Sequence, residues 1–176
     1  GNFVVIWESV GTDGSGFGVY GQRYSSGGTV IGAEFQVNAT TNGNQRFPAV
    51  AMDADGDFVV VWMHINNSNN LWQVRAQRYD NSGATAGSEL TIDSGSRHHK
   101  FPKVAMDESG NFTVVWVRGA TDGSDFSIRA NRRDNTGASI GGNFDVTTLG
   151  AGYVGHPDVA MDADGDIVFT WQSETQ

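Results

Sequence analysis

The chain has 176 residues, of which 24 are glycine and none is cysteine, and its formal net charge is −9. The lack of cysteine excludes disulfides, thiol catalysis and cysteine metal sites. The acidic surface argues against nucleic acid as a partner, because it repels the phosphate backbone. No apolar run is long enough to cross a bilayer, so membrane insertion is not expected. Short runs of valine and phenylalanine, separated by turn-forming residues, predict an all-β protein.

One segment recurs along the chain. Its full copies run from Phe47 to Trp62, from Phe101 to Trp116 and from His156 to Trp171, and a shortened copy occupies Gly1 to Trp7. The tryptophans that end these copies are 55, 54 and 55 residues apart. A fixed period of this size indicates a repeat architecture. The predicted units are a first repeat lacking its first strand, two complete repeats and the start of a fourth, at residues 1–46, 47–100, 101–155 and 156–176.

The second unit predicts four strands, which we letter A to D. Strand A is Pro48–Asp53 and strand B is Phe58–Met63, joined by a turn that contains Asp55-Gly56, a strong hairpin signal. Strand B is apolar on both faces, as expected for a strand that is covered on both sides. A variable loop, His64–Asn70, leads to strand C at Trp72–Tyr79, and strand D follows at Ala86–Ile92.

Four short antiparallel strands in each unit predict a blade of the β-propeller type, with about three blades in the chain. Each blade needs a neighbour on both sides to bury its two apolar faces. A β-solenoid is the alternative architecture. Because both ends of the chain contain strand B, we expect an excerpt of a longer array, or a ring that is completed by further repeats or by other copies of the chain.

The segments Gly11–Tyr24, Gly32–Asn38 and Asn44–Trp62 resemble tandem repeats of large secreted or cell-surface bacterial proteins, among them RTX-type adhesin and haemolysin-like chains. The resemblance spans the whole chain. It implies a bacterial, extracellular or cell-surface location, a propeller-like β fold and a structural or adhesive role. It implies no catalytic residues, and the glycine-rich calcium nonapeptides of true RTX domains are absent.

Each of two turns has three carboxylates within five residues, a pattern that suits the binding of Ca²⁺. The candidate metal ligands are Asp53, Asp55, Asp57, Asp162, Asp164 and Asp166. The spacing departs from that of an EF-hand, and an Asp-Gly hairpin explains the recurrence without an ion. No other cofactor is expected.

Residues that recur in every unit are assigned to the scaffold. The tryptophans are expected to fill the space between blades, and an arginine of strand C is expected to point inward and pair with the aspartate that ends strand A, so that Arg78 would lie beside Asp53. These structural residues are Trp7, Trp62, Trp116, Trp171, Arg23, Arg78 and Arg132.

Residues that break the repeat are the candidates for ligand binding. Strand order places the B–C and D–A loops at one end of every blade, and these loops vary between units. Binding residues concentrate on loops held by a rigid scaffold. The candidates are His64, Trp72, His98, His99 and Tyr153.

The sequence therefore predicts a non-catalytic extracellular domain, a structural or adhesive part of a larger surface protein, and not an enzyme. One alternative is a carbohydrate-binding, lectin-like propeller that uses the rim of B–C and D–A loops, with glycans as partners. A glycosidase or lyase on a propeller is the other alternative, and it would need a carboxylate or tyrosine cluster at the centre of the ring.

Overall fold

The structure is a computed structural model that describes residues 1–66, 70–120, 125–148 and 153–174. Within these ranges the chain forms thirteen β-strands and no helix. No membrane-spanning helix is therefore found among the described residues. Parts of two predicted B–C loops, residues 67–69 and 121–124, lie outside the described ranges.

The strands form four antiparallel sheets in chain order, which we number as blades 1 to 4. Blade 1 has three strands: β1 (Phe3–Val10), β2 (Phe17–Tyr24) and β3 (Val30–Gln36). Blade 2 has four: β4 (Gln45–Met52), β5 (Phe58–Asn66), β6 (Leu71–Tyr79) and β7 (Leu90–Asp93). Blade 3 also has four: β8 (His98–Met106), β9 (Phe112–Gly119), β10 (Ser127–Arg133) and β11 (Ser139–Asp145). Blade 4 has two: β12 (Val154–Met161) and β13 (Ile167–Ser173).

The predicted order of four strands per unit is confirmed, and the limits of all four strands of blade 2 differ from those predicted. The second strand continues to Asn66, so His64, predicted in the B–C loop, lies in a strand, and the third strand begins at Leu71. The first strand of blade 2 begins at Gln45, ahead of the predicted start at Pro48. The fourth strand begins at Leu90 and not at Ala86. Ala86 instead donates its backbone N–H to the Arg78 carbonyl, 2.8 Å away, in the long turn between the third and fourth strands.

The turns between first and second strands close around an aspartate. In blade 2 the Asp53 carboxylate accepts the backbone N–H groups of Gly56 and Asp57, each at 2.9 Å. Gly56 has a φ of 95°, a conformation that glycine adopts without steric cost. Asp57 in turn accepts the N–H of Asn81 at 2.7 Å and so links this turn to the next one in the same blade.

The blades pack face to face. Trp62 and Phe58 of β5 lie in a core with Val19 of blade 1, while Val59 and Val61 of the same strand lie in a second core with blade 3. These four β5 residues have no exposed surface. A third core joins blades 3 and 4 around residues such as Val115, Val117 and Val154. Because the side chains of a strand alternate between faces, one central strand contributes to two cores.

The recurring arginine joins neighbouring blades. Arg23 donates to the carbonyls of Asn81 and Ser82 in the turn of blade 2, and Arg78 donates to the Asn135 carbonyl in the equivalent turn of blade 3. The expected pairing of Arg78 with Asp53 is therefore wrong. The arginine reaches past its own blade, and one oxygen of Asp53 is already engaged by the N–H groups of its own turn.

A glycine makes room for each arginine. A Cβ added at Gly83 would lie 2.5 Å from Nη1 of Arg23, and one added at Gly137 would lie 3.0 Å from Nε of Arg78. Both glycines have positive φ, 86° and 88°. Arg132, the third of the series, is exposed.

Candidate functional site

The first strands of three blades run side by side along one edge of the array, with β8 between β4 and β12. Each of them is interrupted by a bulge against its neighbouring strand, between Arg46 and Ala49, Lys100 and Lys103, and Gly155 and Asp158. We call this edge the inner edge. Inside each bulge lies a proline, preceded by an aromatic or imidazole residue: Phe47-Pro48, Phe101-Pro102 and His156-Pro157.

Phe47, Phe101 and His156 hold an unusual backbone conformation, with φ of 54°, 55° and 48°. A positive φ costs a bulky residue about 1–3 kcal/mol, and such residues cluster at binding sites. The preceding blade holds two of them in place. Phe47 donates its N–H to the Glu8 carboxylate at 3.1 Å, and Phe101 donates its N–H to the Met63 sulfur at 3.2 Å.

The three rings form a row. The centroids of Phe47 and Phe101 are 5.3 Å apart with nearly perpendicular planes, and those of Phe101 and His156 are 6.3 Å apart with nearly parallel planes. Phe47 is 44% and Phe101 37% exposed. The bulges therefore turn aromatic faces toward solvent at positions where burial in a core would be the ordinary outcome.

A cavity of about 450 Å³ lies against this row, and we call it the inner-edge pocket. Its lining combines apolar rings with three residues that have polar side chains, Lys103, His156 and Asp158. The lining residues are Phe47, Pro48, Phe101, Pro102, Lys103, His156, Pro157 and Asp158. A mostly apolar, aromatic wall with a few polar groups is the usual composition of a small-molecule site.

Glu8 and Arg46 support this site from behind. Arg46 Nη2 lies 2.7 Å from Glu8 Oε1, and the guanidinium carbon lies 4.1 Å from the centre of the Phe17 ring. The hydrogen bond from Arg46 is the main reason why the pKa of Glu8 lies below its usual value. Since Glu8 also accepts the Phe47 N–H, this ion pair fixes the backbone of the first ring in the row.

The residues predicted to form a rim site are placed differently. His64 is buried, with its Nδ1 3.2 Å from the Gln45 side-chain amide, and burial followed by the charge of Arg75 lowers its pKa. His99 is also buried, and its Nδ1 lies 3.0 Å from Asp93 Oδ2 and 3.2 Å from Trp116 Nε1. Both imidazoles are therefore engaged inside the sheets.

The structure brings Trp72 and His98 together, because Trp72 donates its backbone N–H to His98 Nδ1 at 3.3 Å. Burial and the nearby Lys100 lower the pKa of His98. Tyr153 is 39% exposed and stacks edge-on against Phe126, with centroids 5.4 Å apart. The five predicted rim residues thus divide into two buried imidazoles, one hydrogen-bonded pair and one separate tyrosine.

The aspartate turns use their carboxylates for backbone hydrogen bonds. Asp162 accepts the N–H groups of Asp164 and Asp166 at 3.1 and 2.9 Å, as Asp53 does for the turn that contains Asp55 and Asp57. Within the described ranges, no three His, Asp or Glu side chains converge in a way that could hold a metal ion. Calcium binding at these turns stays a prediction.

The four equivalent tryptophans differ in burial. Trp62 and Trp116 are fully buried between blades, Trp7 is half-buried and Trp171 is 43% exposed. The two buried ones each pack against the preceding blade, Trp62 against blade 1 and Trp116 against blade 2.

The fold is found among solved structures at low sequence identity. An endo-arabinase from Bacteroides thetaiotaomicron matches with a TM-score of 0.58 and 14% identity, over 99% of this chain and 68% of that one. A Hadza microbial sialidase matches with a TM-score of 0.60 and 12% identity, over 98% of this chain and 44% of that one. A GH43 protein from Bacillus licheniformis matches with a TM-score of 0.51 and 13% identity, over 97% of this chain and 34% of that one.

No family model and no curated protein matches the sequence. This chain spans about two thirds of the arabinase, but less than half of the other two structures. Likeness at this level of identity shows the fold alone, and it confirms the all-β, propeller-type fold with blades of antiparallel strands.

The comparisons correct three expectations. The resemblance to RTX-type adhesin and haemolysin-like repeats is wrong, because the similar structures, one of them described as a GH43 protein, are propeller folds and not RTX repeats. The second and third expectations are that the chain is a non-catalytic structural or adhesive domain and that it is not an enzyme. The same finding overturns both, since the similar structures include an arabinase and a sialidase. The extracellular location and the partners stay predictions.

Sequence reasoning missed the inner-edge residues. Phe47, Phe101 and His156 stand at the same position in the second, third and fourth units, and residues that recur were assigned to the scaffold. The available signal was the proline that follows each of them, since a proline inside a strand marks an edge or a bulge. The replacement of phenylalanine by histidine in the third copy was a second signal.

Proposed function

We propose that this chain is a carbohydrate-binding propeller module that takes its sugar in the inner-edge pocket. The observation that carries the proposal is the row of exposed rings, Phe47, Phe101 and His156, along one wall of a cavity of about 450 Å³. The names of the similar structures, an arabinase and a sialidase, support a carbohydrate ligand.

The chemistry of the pocket fits a sugar ring. A pyranose or furanose has apolar C–H faces, which pack on aromatic rings, and hydroxyl groups at its edge, which need charged or polar partners. Lys103 can donate to these hydroxyls, Asp158 can accept from them, and His156 can do either. All three residues line the pocket.

The test is to replace Phe101 with glycine and to titrate the protein with a glycan panel that includes arabinose-containing and sialic-acid-containing saccharides. Glycine suits the φ of 55° at this position, so Phe101→Gly removes the ring without disturbing the backbone. We expect affinity to fall by roughly tenfold or more, as for loss of an aromatic anchor at the centre of a site.

The matched control is Phe144→Ala, which removes a ring that is 40% exposed on β11 and outside the pocket. Saccharide binding should be unchanged in this variant. The proposal is contradicted if Phe101→Gly and the original chain bind saccharides with equal affinity. It is also contradicted if the original chain binds no saccharide of the panel.

Glycoside hydrolysis is a second candidate, favoured by the carboxylate of Asp158 in the pocket wall and by the named activities of the similar structures. Most glycoside hydrolases use two carboxylates on either side of the scissile bond. Among the described lining residues Asp158 is the one carboxylate, so a partner would have to come from elsewhere. The same titrations, followed by chromatography for released sugar, test this candidate.

A further inference from the structure

A second cavity, of about 160 Å³, lies where blades 2 and 3 meet. Its walls come from the end of β7 and the loop after it, and from the facing strands β8, β9 and β10. We call it the arginine pocket. The lining residues are Asp93, Ser94, Gly95, Ser96, Arg97, His99, Arg118 and Arg129.

The lining of this pocket is rich in arginine, in a chain whose net charge is −9. Arg97, Arg118 and Arg129 line it together with the carboxylate of Asp93, while Asp125 and Asp145 meet Arg97 and Arg129 from outside the lining. Guanidinium donors that these carboxylates leave free can attract a small anion.

Two of the three guanidinium groups have donors to spare. Among the described residues, Arg118 has no hydrogen-bond or ion-pair partner for its side chain. Arg97 meets Asp125 through Nη2 at 3.5 Å, at the limit of a hydrogen bond, and its Nη1 is buried without a partner. A buried donor that no protein atom satisfies favours an external acceptor.

The third guanidinium is held in position. Arg129 Nη1 donates a hydrogen bond to Asp93 Oδ2 at 3.3 Å, and its Nε lies 3.0 Å from Asp145 Oδ1 as an ion pair without hydrogen-bond alignment. Asp93 is only 9% exposed and also contacts the buried His99 at 3.0 Å. The back wall of the pocket is therefore pre-organised, and little ordering is needed when a ligand arrives.

The donor set fits a carboxylate. Guanidinium groups bind planar carboxylates through two parallel hydrogen bonds, and the Ser94 and Ser96 side chains in the lining can bind neighbouring hydroxyls. The pocket is also close to the inner edge: His99 stands two residues before Phe101 in β8, which is at most about 7 Å of chain.

We propose that the arginine pocket binds the carboxylate of an acidic sugar residue, in a saccharide whose neighbouring residue lies on the Phe101 ring. This inference rests on the proposed carbohydrate-binding function and adds the substrate class, a glycan that contains a uronic or other carboxylate-bearing sugar.

The test compares two probes that differ in charge and hardly in shape, a galacturonic acid trisaccharide and its methyl ester. Binding to the original chain is measured by calorimetry. We expect the free acid to bind roughly tenfold more tightly than the ester, the order expected when a charge-assisted, bidentate pair is lost. The preference should shrink as salt is added.

Arg118→Gln should abolish the preference for the acid, because Arg118 supplies donors that no side chain in the described part of the chain occupies. Arg97→Gln is a second variant with the same expected result. Arg132→Gln is the matched control, since Arg132 is an exposed arginine on β10 outside the lining, and its preference for the acid should match that of the original chain.

If the original chain binds acid and ester equally, the inference is overturned and the proposed function stands. If the preference for the acid survives in both Arg118→Gln and Arg97→Gln, the inference is likewise overturned and the proposed function stands. If the acid preference disappears in Arg118→Gln but Phe101→Gly binds both probes normally, the arginine pocket is supported and the inner-edge site fails. If neither probe binds to the original chain, the inference is overturned.

Discussion

His64 shows how one buried side chain makes stability depend on pH. It lies near the end of β5, it is 5% exposed, and its Nδ1 contacts the Gln45 amide. Burial, followed by the positive charge of Arg75, disfavours the protonated imidazole. Glu89 forms an ion pair with Arg75 at 2.9 Å and opposes this effect only in part.

We therefore expect the free energy of unfolding to fall as the solution is acidified below the ordinary histidine pKa of 6.5. The folded pKa of His64 lies below that of the unfolded chain, so between the two values the unfolded state binds more protons and is favoured. At a pH above the unfolded pKa the contribution of His64 to the free energy of unfolding is fully present. At a pH below the folded pKa this contribution is lost and does not fall further. Urea denaturation at about pH 7.5 and about pH 5 measures the loss, which should be smaller in His64→Gln.

His156→Gln is the control, because His156 is an exposed histidine at the inner edge. This variant should keep the pH dependence of the original chain. An identical loss in the original chain and in His64→Gln would show that His64 does not carry it.

At the scale of elements, the turn between the third and fourth strands of one blade accepts hydrogen bonds from an arginine of the blade before it. Asp80 and Asp134 organise two such turns through their Oδ1 atoms, and the carbonyls that remain outside receive Arg23 and Arg78. The serine and threonine hydroxyls that donate to these aspartates, with the turn N–H groups, lower both carboxyl pKa values.

Arg78→Met should destabilise the protein by about 1.5–3 kcal/mol, the usual loss for a hydrogen bond that involves a charged group. Methionine keeps much of the apolar stem, so the change reports mainly on the bond to the Asn135 carbonyl. Arg132→Met, at the equivalent and exposed position, should change stability by less than about 0.5 kcal/mol. Urea denaturation midpoints of the two variants measure the difference in stability. Equal losses of stability in Arg78→Met and Arg132→Met would contradict this role of Arg78.

The sequence predicted the elements better than the contacts between them. The pairs Asp55-Gly56 and Asp164-Gly165 predicted the first hairpin of blades 2 and 4, and the two-faced valine run predicted the second strand of blade 2. Both signals depend on neighbours along the chain. The destination of Arg78 could not be read in this way, since its partner lies one unit further on. The positive φ of Phe47 and Phe101 could not be predicted from the sequence either, because a residue before proline is ordinarily extended.

The candidate site was predicted less well for a related reason. A residue that departs from the repeat was expected to bind a ligand, yet the departures at His64 and His99 are absorbed by buried partners, Gln45 and Asp93. The rings of the inner edge recur in the three units that contain a first strand, and they line one cavity only when three blades bring them together. Repetition therefore does not separate scaffold from site in this fold.

At the scale of the whole molecule, stability comes from cores that lie between blades and not within them. Each described core takes residues from two consecutive sheets, so no single sheet has a core of its own. The fold by itself does not fix an activity, which has to be argued from the pockets.

Trp62→Ala should cost about 3–5 kcal/mol, because it empties part of the core between blades 1 and 2. Trp171→Ala removes the equivalent side chain where it is 43% exposed, and should cost less than about 1 kcal/mol. Thermal or urea denaturation of the two variants measures the contrast. Similar losses would mean that the space between blades 1 and 2 is not the main source of stability.

The arginine bonds between blades all point the same way along the chain, from Arg23 to blade 2 and from Arg78 to blade 3. The array therefore has a polarity, and the two junctions that carry this bond are of one type. Recombination that inserts or removes one whole period joins a donor arginine to an acceptor turn of the same kind, so copy number can change without a new interface having to evolve. An insertion of any other length would set the arginine opposite the wrong backbone.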